Sequence, residues 1–481
     1  MKRLWTRPIL GSVAAVVLLA GAGLLYLRPR GRSAQRPKYI FVNETANHAY
    51  DTALKGSLKF AETRSGIENA LVLLEKLPPD TTVQAAAEQL FQRWQIGRAR
   101  GGKGILYLHS ERENLFKIEV SYALEGIFPD AVCHRLEQAA QTYLLSEIPQ
   151  DFLSELIITM NIEGQEGRHD PTADFAPPAW MRSRLSSGGA GVAAKGYRRT
   201  LNDYLAAVRA LPAEEAAAFQ PRASPSESMQ LYLSSLELGL GDPRLPLLTE
   251  GSQVFRMVVP RSQAQQHRVW DYYRKAMPYR IYPRGDLAVA IPRPGVANLP
   301  VVLRRSREGL WYVDEPKSWT YFHRFENGTD FFPKYDDLPL LSALREDAHP
   351  NADHPIYSAR VATPPPIPYP FSLAKAVSDL AERAQSDRDD PEWPARLGEI
   401  YLFEVNWLSK AIESFEAAAR LAPDRLEYRW RLYDLYVNHS EVEKARAQLR
   451  FLSERLPADA EVQQLLKFYT ETYSFAPGEF P

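Results

Sequence analysis

A chain of 481 residues is long for a single core and has room for about three domains. Its 58 basic and 59 acidic residues leave no bulk electrostatic preference, which excludes nucleic acid as the principal partner. The single cysteine, Cys133, excludes an internal disulfide and a cysteine-based metal site, in keeping with a reducing compartment or with an exported protein that folds without bridges.

The first element is apolar throughout. "ILGSVAAVVLLAGAGLLYL", Ile9 to Leu27, carries no charge and approaches the roughly 20 residues that a helix needs to cross the hydrocarbon of a bilayer. It is a membrane span or a signal sequence. No small-residue cleavage site follows it, and the cationic "RPRGRSAQRPK" favours an uncleaved anchor over residues 1–38. Lys2, Arg3 and Arg7 precede the span, and Arg28, Arg30, Arg32, Arg36 and Lys38 follow it. A literal positive-inside count therefore puts the domains in the cytoplasm, although long C-terminal domains translocate despite such a count. Gly11, Ala15, Gly21 and Ala22 are too ordinary in a span to argue for dimerisation.

Composition then divides the chain. "HDPTADFAPPAW" and "SSGGAGVAAKG" carry proline and glycine at a density that predicts no regular structure, and "RVATPPPIPYP" reads as a semi-rigid polyproline spacer. Domains are expected at 50–165, 196–348 and 371–475, joined by linkers at 166–195 and 349–370.

The first domain alternates helix and strand. Leu71–Leu74 is a short buried strand, and Val83, Ala86, Ala87, Leu90, Phe91 and Trp94 form the stripe of an amphipathic helix. "KGILYL" is a second apolar run. "LFKIEVSY" alternates, with Phe116, Ile118, Val120 and Tyr122 on one face and Lys117, Glu119 and Ser121 on the other. Helical stripes follow through Leu136, Ala139, Ala140 and Tyr143, then Phe152, Leu156, Ile157 and Met160. The order predicts an α/β sandwich.

These residues also carry a resemblance. "QLFQRWQIG", the turn "RARGGKGILYL", the strand "KIEVSYALEG" and "FPDA" are similar to the TPM domain family over about Gly66 to Glu163, with Ser121 where the family usually has glycine. The resemblance implies an α/β/α domain, usually tethered to a membrane and displayed outside the cytoplasm. It also implies work in the maintenance of membrane complexes, as a receptor auxiliary, or as a weak phosphatase or calcium binder. On that habit, set above the charge count, the anchor is expected in a bacterial-type inner membrane with the domains in the periplasm; the alternative is the cytoplasmic face.

Two stretches of this domain bear on chemistry. In "GRARGGKG" the glycines follow a helix and precede a strand, so the nearby helix end is a C-terminus, where partial negative charge disfavours anions. Gly97 is read as the helix C-cap and Gly101, Gly102 and Gly104 as a connection, with Arg98, Arg100 and Lys103 as a possible anion-attracting rim. In "ALEGIFPDA", Glu125 and Asp130 lie past a strand's end, where two carboxylates with backbone carbonyls can hold Ca²⁺. The plainer reading makes Asp130 the cap of the next helix. A phosphatase needs more, and His109 and His134 stand isolated, as packing or surface residues.

The middle domain is expected to be α+β. Helices at "YRRTLNDYLAAVRALP" and "SESMQLYLSSLELGL" precede strands at "SQVFRMVVP", "GDLAVAIPR" and "LPVVLRRSREGLWYVDEPKSW", the last a hairpin turning at "SREG". Helices before a curved sheet are faintly similar to the cone-shaped NTF2-like fold, which can hold a small ligand. The aromatics of "WTYFHRFENGTDFFPKY" are expected to pack in core and rim, the alternative being a binding surface, and His349 and His354 to sit in the linker and not on zinc.

The last domain repeats. Leu432, Tyr436, Ala445, Leu449 and Pro457 have tetratricopeptide (TPR) spacing. Leu397, Gly398, Tyr401, Ala411, Phe415 and Pro423 match it with one extra residue in the inter-helix turn. "SLAKAVSDLAERAQ" and "AEVQQLLKFYTETY" complete the stack as flanking helices. Its groove is expected to take protein partners, or else to pack on the middle domain. The whole reads as a membrane-anchored scaffold that binds partner proteins, not as an enzyme; the alternative is a weak Ca²⁺-dependent phosphatase using Glu125 and Asp130.

Overall fold

The structure, a computed structural model, describes residues 40–472 apart from 46–50, 147–148, 168–169, 178–217, 294–298, 325–330, 336–337, 348–362, 365–371 and 440. The expected span Ile9–Leu27, the helix expected at 197–212, and His349 and His354 lie outside the described residues. No helix among the described residues is long and apolar enough to cross a membrane.

The N-terminal region is a mixed α/β layer structure. Its sheet runs β1 (Ile40–Asn43), β2 (Glu68–Leu74), β3 (Gly104–Ser110) and β4 (Leu115–Val120) in that order, with the first three parallel and β4 antiparallel. Strand periodicity sorts the side chains. Ala70, Val72, Leu74, Leu106 and Leu108 meet α2 (Val83–Trp94) on one face. Leu71, Leu73, Ile105 and Tyr107 meet α1 (Asp51–Ser65), α3 (Asp130–Tyr143) and α4 (Pro149–Glu166) on the other. Asn69 and Asn161 exchange amide hydrogen bonds of 2.9 and 2.8 Å in this core, fixing α4 against β2. Strand β1 and helix α1 were not expected from the sequence; α1 has a weakly apolar face and gains its place by packing on α4.

Two local readings change. β4 ends at Val120, and Tyr122 does not continue its apolar face but stands 88% exposed in the short 3₁₀ turn Tyr122–Leu124. The chain leaves the sheet there because Ser121 is tied to Gly104 from both sides, its N–H donating to Gly104 O and its Oγ accepting from Gly104 N, each at 2.9 Å. Leu124 fills the core instead. Further on, a turn of helix, α5 (Thr172–Phe175), forms within the stretch whose prolines predict none. Phe175 is fully buried edge-on against Phe152 at 5.5 Å, so one aromatic ring anchors the segment.

The middle region is built on a four-stranded antiparallel meander of β5 (Arg280–Arg284), β6 (Leu287–Ile291), β7 (Val301–Arg305) and β8 (Trp311–Val313). One face, with Ala288, Ala290 and Leu303, packs on α6 (Pro225–Glu237) and α8 (Gln263–Ala276). The other, with Leu287, Val289 and Val302, is covered by α9 (Glu315–Tyr321), the small hairpin β9 (Phe322–Arg324) and β10 (Phe331–Pro333), and α10 (Leu341–Glu346). Tyr321, Phe322, Phe331 and Tyr335 pack in this layer, as expected of the aromatic cluster.

"SQVFRMVVP" is corrected from strand to helix: it lies in α7 (Glu250–Val258). The Thr249 hydroxyl caps it by accepting from Ser252 N at 3.1 Å. Because the helix is buried nearly all round, its sequence is apolar except for Arg256 from Val254 to Val259 and shows no alternation of faces, so either period accommodates it. Its residues Val254, Phe255 and Val258 join the core of the N-terminal region to the C-terminal helices.

The C-terminal region is helical. Helices α11 (Leu373–Ser386), α12 (Glu392–Ile400), α13 (Leu408–Leu421), α14 (Leu426–Asn438), α15 (Val442–Arg455) and α16 (Ala460–Thr472) each pack on the next. The extra residue between Tyr401 and Ala411 is absorbed by a π-helical turn, Tyr401–Val405, closed by Asn406 at φ +53°. That turn enters the middle region. A Cβ on Gly251 would overlap the carbonyl oxygen of Glu404, so α7 and the π-turn touch backbone to backbone.

Candidate functional site

The glycine loop of the N-terminal region turns its donors toward the protein's own groups. Gln95, at φ +52°, takes the left-handed cap of α2 that was expected of Gly97. Gly97 instead opens a 3₁₀ turn, Arg98–Arg100, at φ +91°. Its N–H donates to the buried Glu68 Oε2 at 2.7 Å. A carboxylate of the protein itself thus sits where the loop presents a donor. Arg100 is paired with Glu62 at 2.9 Å and Arg98 donates to Gln95 at 2.6 Å, so two of the three rim cations already have partners.

This loop is a packing device with a measurable signature. A Cβ at Gly97 would lie 2.9 Å from Gly104 N, whereas one at Gly101, also at positive φ, would meet nothing. Gly97→Ala is expected to cost about 2–3 kcal/mol and Gly101→Ala about 1 kcal/mol, the difference being the contact. Denaturant melts of the two full-length variants measure it; equal costs would remove the close approach as the reason for glycine.

Glu125 and Asp130 are both exposed. Asp130 does not cap α3: Pro129 holds the cap position, and Asp130 begins the first turn, where its charge suits the helix dipole. Leu124 O accepts from both Ile127 N at 2.9 Å and Phe128 N at 2.8 Å, so the intervening backbone is a tight turn closed on itself. Among the described residues no group of three or more histidine, cysteine or acidic side chains is placed to hold a metal ion. His109 is half-buried beside Phe116, and desolvation of its ring lowers its pKa to about 4, so it is neutral at ordinary pH. His134 is exposed and bonds Gln138 at 2.9 Å.

A second site has no counterpart in the sequence reading. Helix α4, helices α7 and α8, and the segment after the π-turn enclose a cavity of about 490 Å³. Glu315, at the start of α9, is in its wall. Arg256 clamps that carboxylate from behind with Nε at 3.0 Å and Nη2 at 2.9 Å, and Tyr232 Oη donates to it at 2.8 Å. The remaining Arg256 Nη1 donates to Leu240 O and Asp242 O, both at 3.2 Å. Burial alone would raise the Glu315 pKa, but Arg256 overrides it and holds the carboxyl below its usual range. On the opposite wall Arg268 bridges to Glu155 of α4 at 2.7 Å. The one trace of this site in the sequence was a lone arginine inside the apolar run "VFRMVV", a charge that such a run excludes unless it is paired.

The comparisons with known proteins bear on the first of these sites. A family model of the TPM domain matches residues 47–147, which span α1 to α3, the glycine loop, Glu125 and Asp130. No curated protein matches the chain.

Proposed function

We propose that the chain is a membrane-anchored scaffold in which a TPM domain and a TPR-like stack are held as one unit to bind partner proteins beside the bilayer. What supports this is the way the stack is used. The inner side of α14 is occupied within the chain: Tyr335 Oη donates to Asp434 at 2.6 Å and Lys334 Nζ to Asn438 at 2.7 Å. The partner surface therefore falls at the far end, on α15 and α16, where Phe468 is 52% exposed. On the family's habit the anchor is placed in a bacterial-type inner membrane with the domains in the periplasm.

The test is cross-linking in intact membranes with the full chain. Neighbours that Phe468→Glu removes and Asp130→Asn retains support the scaffold; an unchanged set of neighbours counts against it. The second reading, a weak Ca²⁺-dependent phosphatase, draws on the two exposed carboxylates past β4 and on the TPM match. Turnover of p-nitrophenyl phosphate that needs Ca²⁺ and disappears in Asp130→Asn with the fold intact would put it first.

A further inference from the structure

We propose that the cavity between α4, α8 and the segment after the π-turn is a binding site for a small aromatic carboxylate, with Arg261 as the group that receives the anion. The charges in the cavity wall point to this. Glu315 is neutralised by Arg256, and Glu155 by Arg268. Asp151, at the mouth, is exposed and screened by solvent. Arg261 also lines the cavity and is half-buried; it lies within electrostatic reach of Glu315, whose oxygens are taken up by Arg256 and Tyr232, and its own N–H groups make no hydrogen bond with any described residue. A guanidinium in that position offers a planar pair of donors that fits a carboxylate edge-on.

The rest of the cavity selects the body of the ligand. Phe152, Phe255 and Val258 supply apolar wall. Trp319 and Tyr272 line it as well, and they are 40% and 37% exposed, among the few large apolar side chains in the described residues that are not covered. A volume of about 490 Å³ lies within the usual range for small-molecule sites. One cation with unused donors favours a monoanion, because the second charge of a phosphate ester would face the carboxylates of Glu155 and Glu315 in the same cavity.

The experiment is isothermal titration of the full chain in lipid nanodiscs, with empty nanodiscs as blank, using naphthalene carboxylate as the probe. Naphthalene carboxamide, its neutral isostere, and naphthyl phosphate are the comparators. The carboxylate is expected to bind at least about tenfold more tightly than either, and Arg261→Ala to remove that advantage while melting like the parent. Trp319→Ala is expected to weaken all three probes alike. No binding of the carboxylate at millimolar concentration, equal binding of the amide, tighter binding of the phosphate, or an unchanged affinity in Arg261→Ala would each overturn the assignment. Should Arg261→Ala melt early, the carboxylate-against-amide comparison on the parent protein decides alone.

Discussion

Replacing Glu404 by alanine is expected to cost about 3–5 kcal/mol of stability, because it leaves two buried cations to share one carboxylate. Glu404 Oε2 accepts from Arg304 Nη2 and Oε1 from Lys317 Nζ, both at 2.8 Å, while Lys317 also donates to Phe403 O at 3.1 Å. Asp314 completes the node, 3.2 Å from Arg304 and 3.8 Å from Lys317, so two positive and two negative groups balance. All four side chains are below a tenth exposed. The node joins β7 and α9 to the π-turn, and its loss is expected to split one calorimetric transition of the full chain into two. Replacing Glu404, Lys317 and Arg304 together by leucine or methionine should recover most of the loss, since a packed apolar cluster costs no desolvation. A loss under about 1 kcal/mol in Glu404→Ala would falsify the view that this node holds the C-terminal helices in place.

The pH dependence of the node has opposing parts. Burial pushes Glu404 upward, but Lys317 and Arg304 outweigh it and its pKa falls below the ordinary value. Its contribution is therefore complete above the unfolded value of about 4.3 and is lost as pH falls through the folded one. Asp314 goes the other way: burial raises it beyond what Lys317 and Arg304 recover. Between its unfolded and folded values, acidification favours the fold. The two acids partly cancel, so acid unfolding at this node is expected to be shallow.

What the sequence made legible was local and periodic. The α2 stripe, the apolar β3, the β7–β8 hairpin and the helical stack follow from spacing alone, because each buries one face against a neighbour. The residues that hold the regions together were not legible. Arg256 and Glu315 are 59 positions apart and Lys317 and Glu404 are 87 apart, and no short-range pattern relates them. The same cause hid the α7 assignment: a helix enclosed on all sides shows no polar face, and its arginine reads as an interruption until its carboxylate is found. Glu125 and Asp130 are both exposed, but Asp130 opens α3 and the cap went to Pro129, whose extended backbone occupies that position without a side-chain bond.

Arg256→Leu is the complementary test on the cavity wall and is expected to cost about 3–5 kcal/mol at neutral pH. The variant leaves Glu315 buried with only Tyr232 as a side-chain donor, and it leaves Leu240 O and Asp242 O without the Nη1 donor. Arg256→Lys should recover little, since an ammonium cannot serve both carboxylate oxygens and two carbonyls from one position. The sign of the pH effect separates charge from packing. In the parent, Glu315 lies below its usual range, so its contribution is present above about pH 4.3 and fades as pH falls through the folded value. Without Arg256, burial is opposed only by Arg261 and the Tyr232 hydrogen bond, and the folded value is expected to move above the unfolded one, so the penalty grows as pH rises and disappears when the carboxyl is protonated. The gap between parent and variant in denaturant melts should therefore be widest near pH 7 and narrow toward pH 4. A gap of constant width would mean that Arg256 matters for the volume its side chain fills, and the balance of charge on which the Arg261 assignment depends would have to be drawn again.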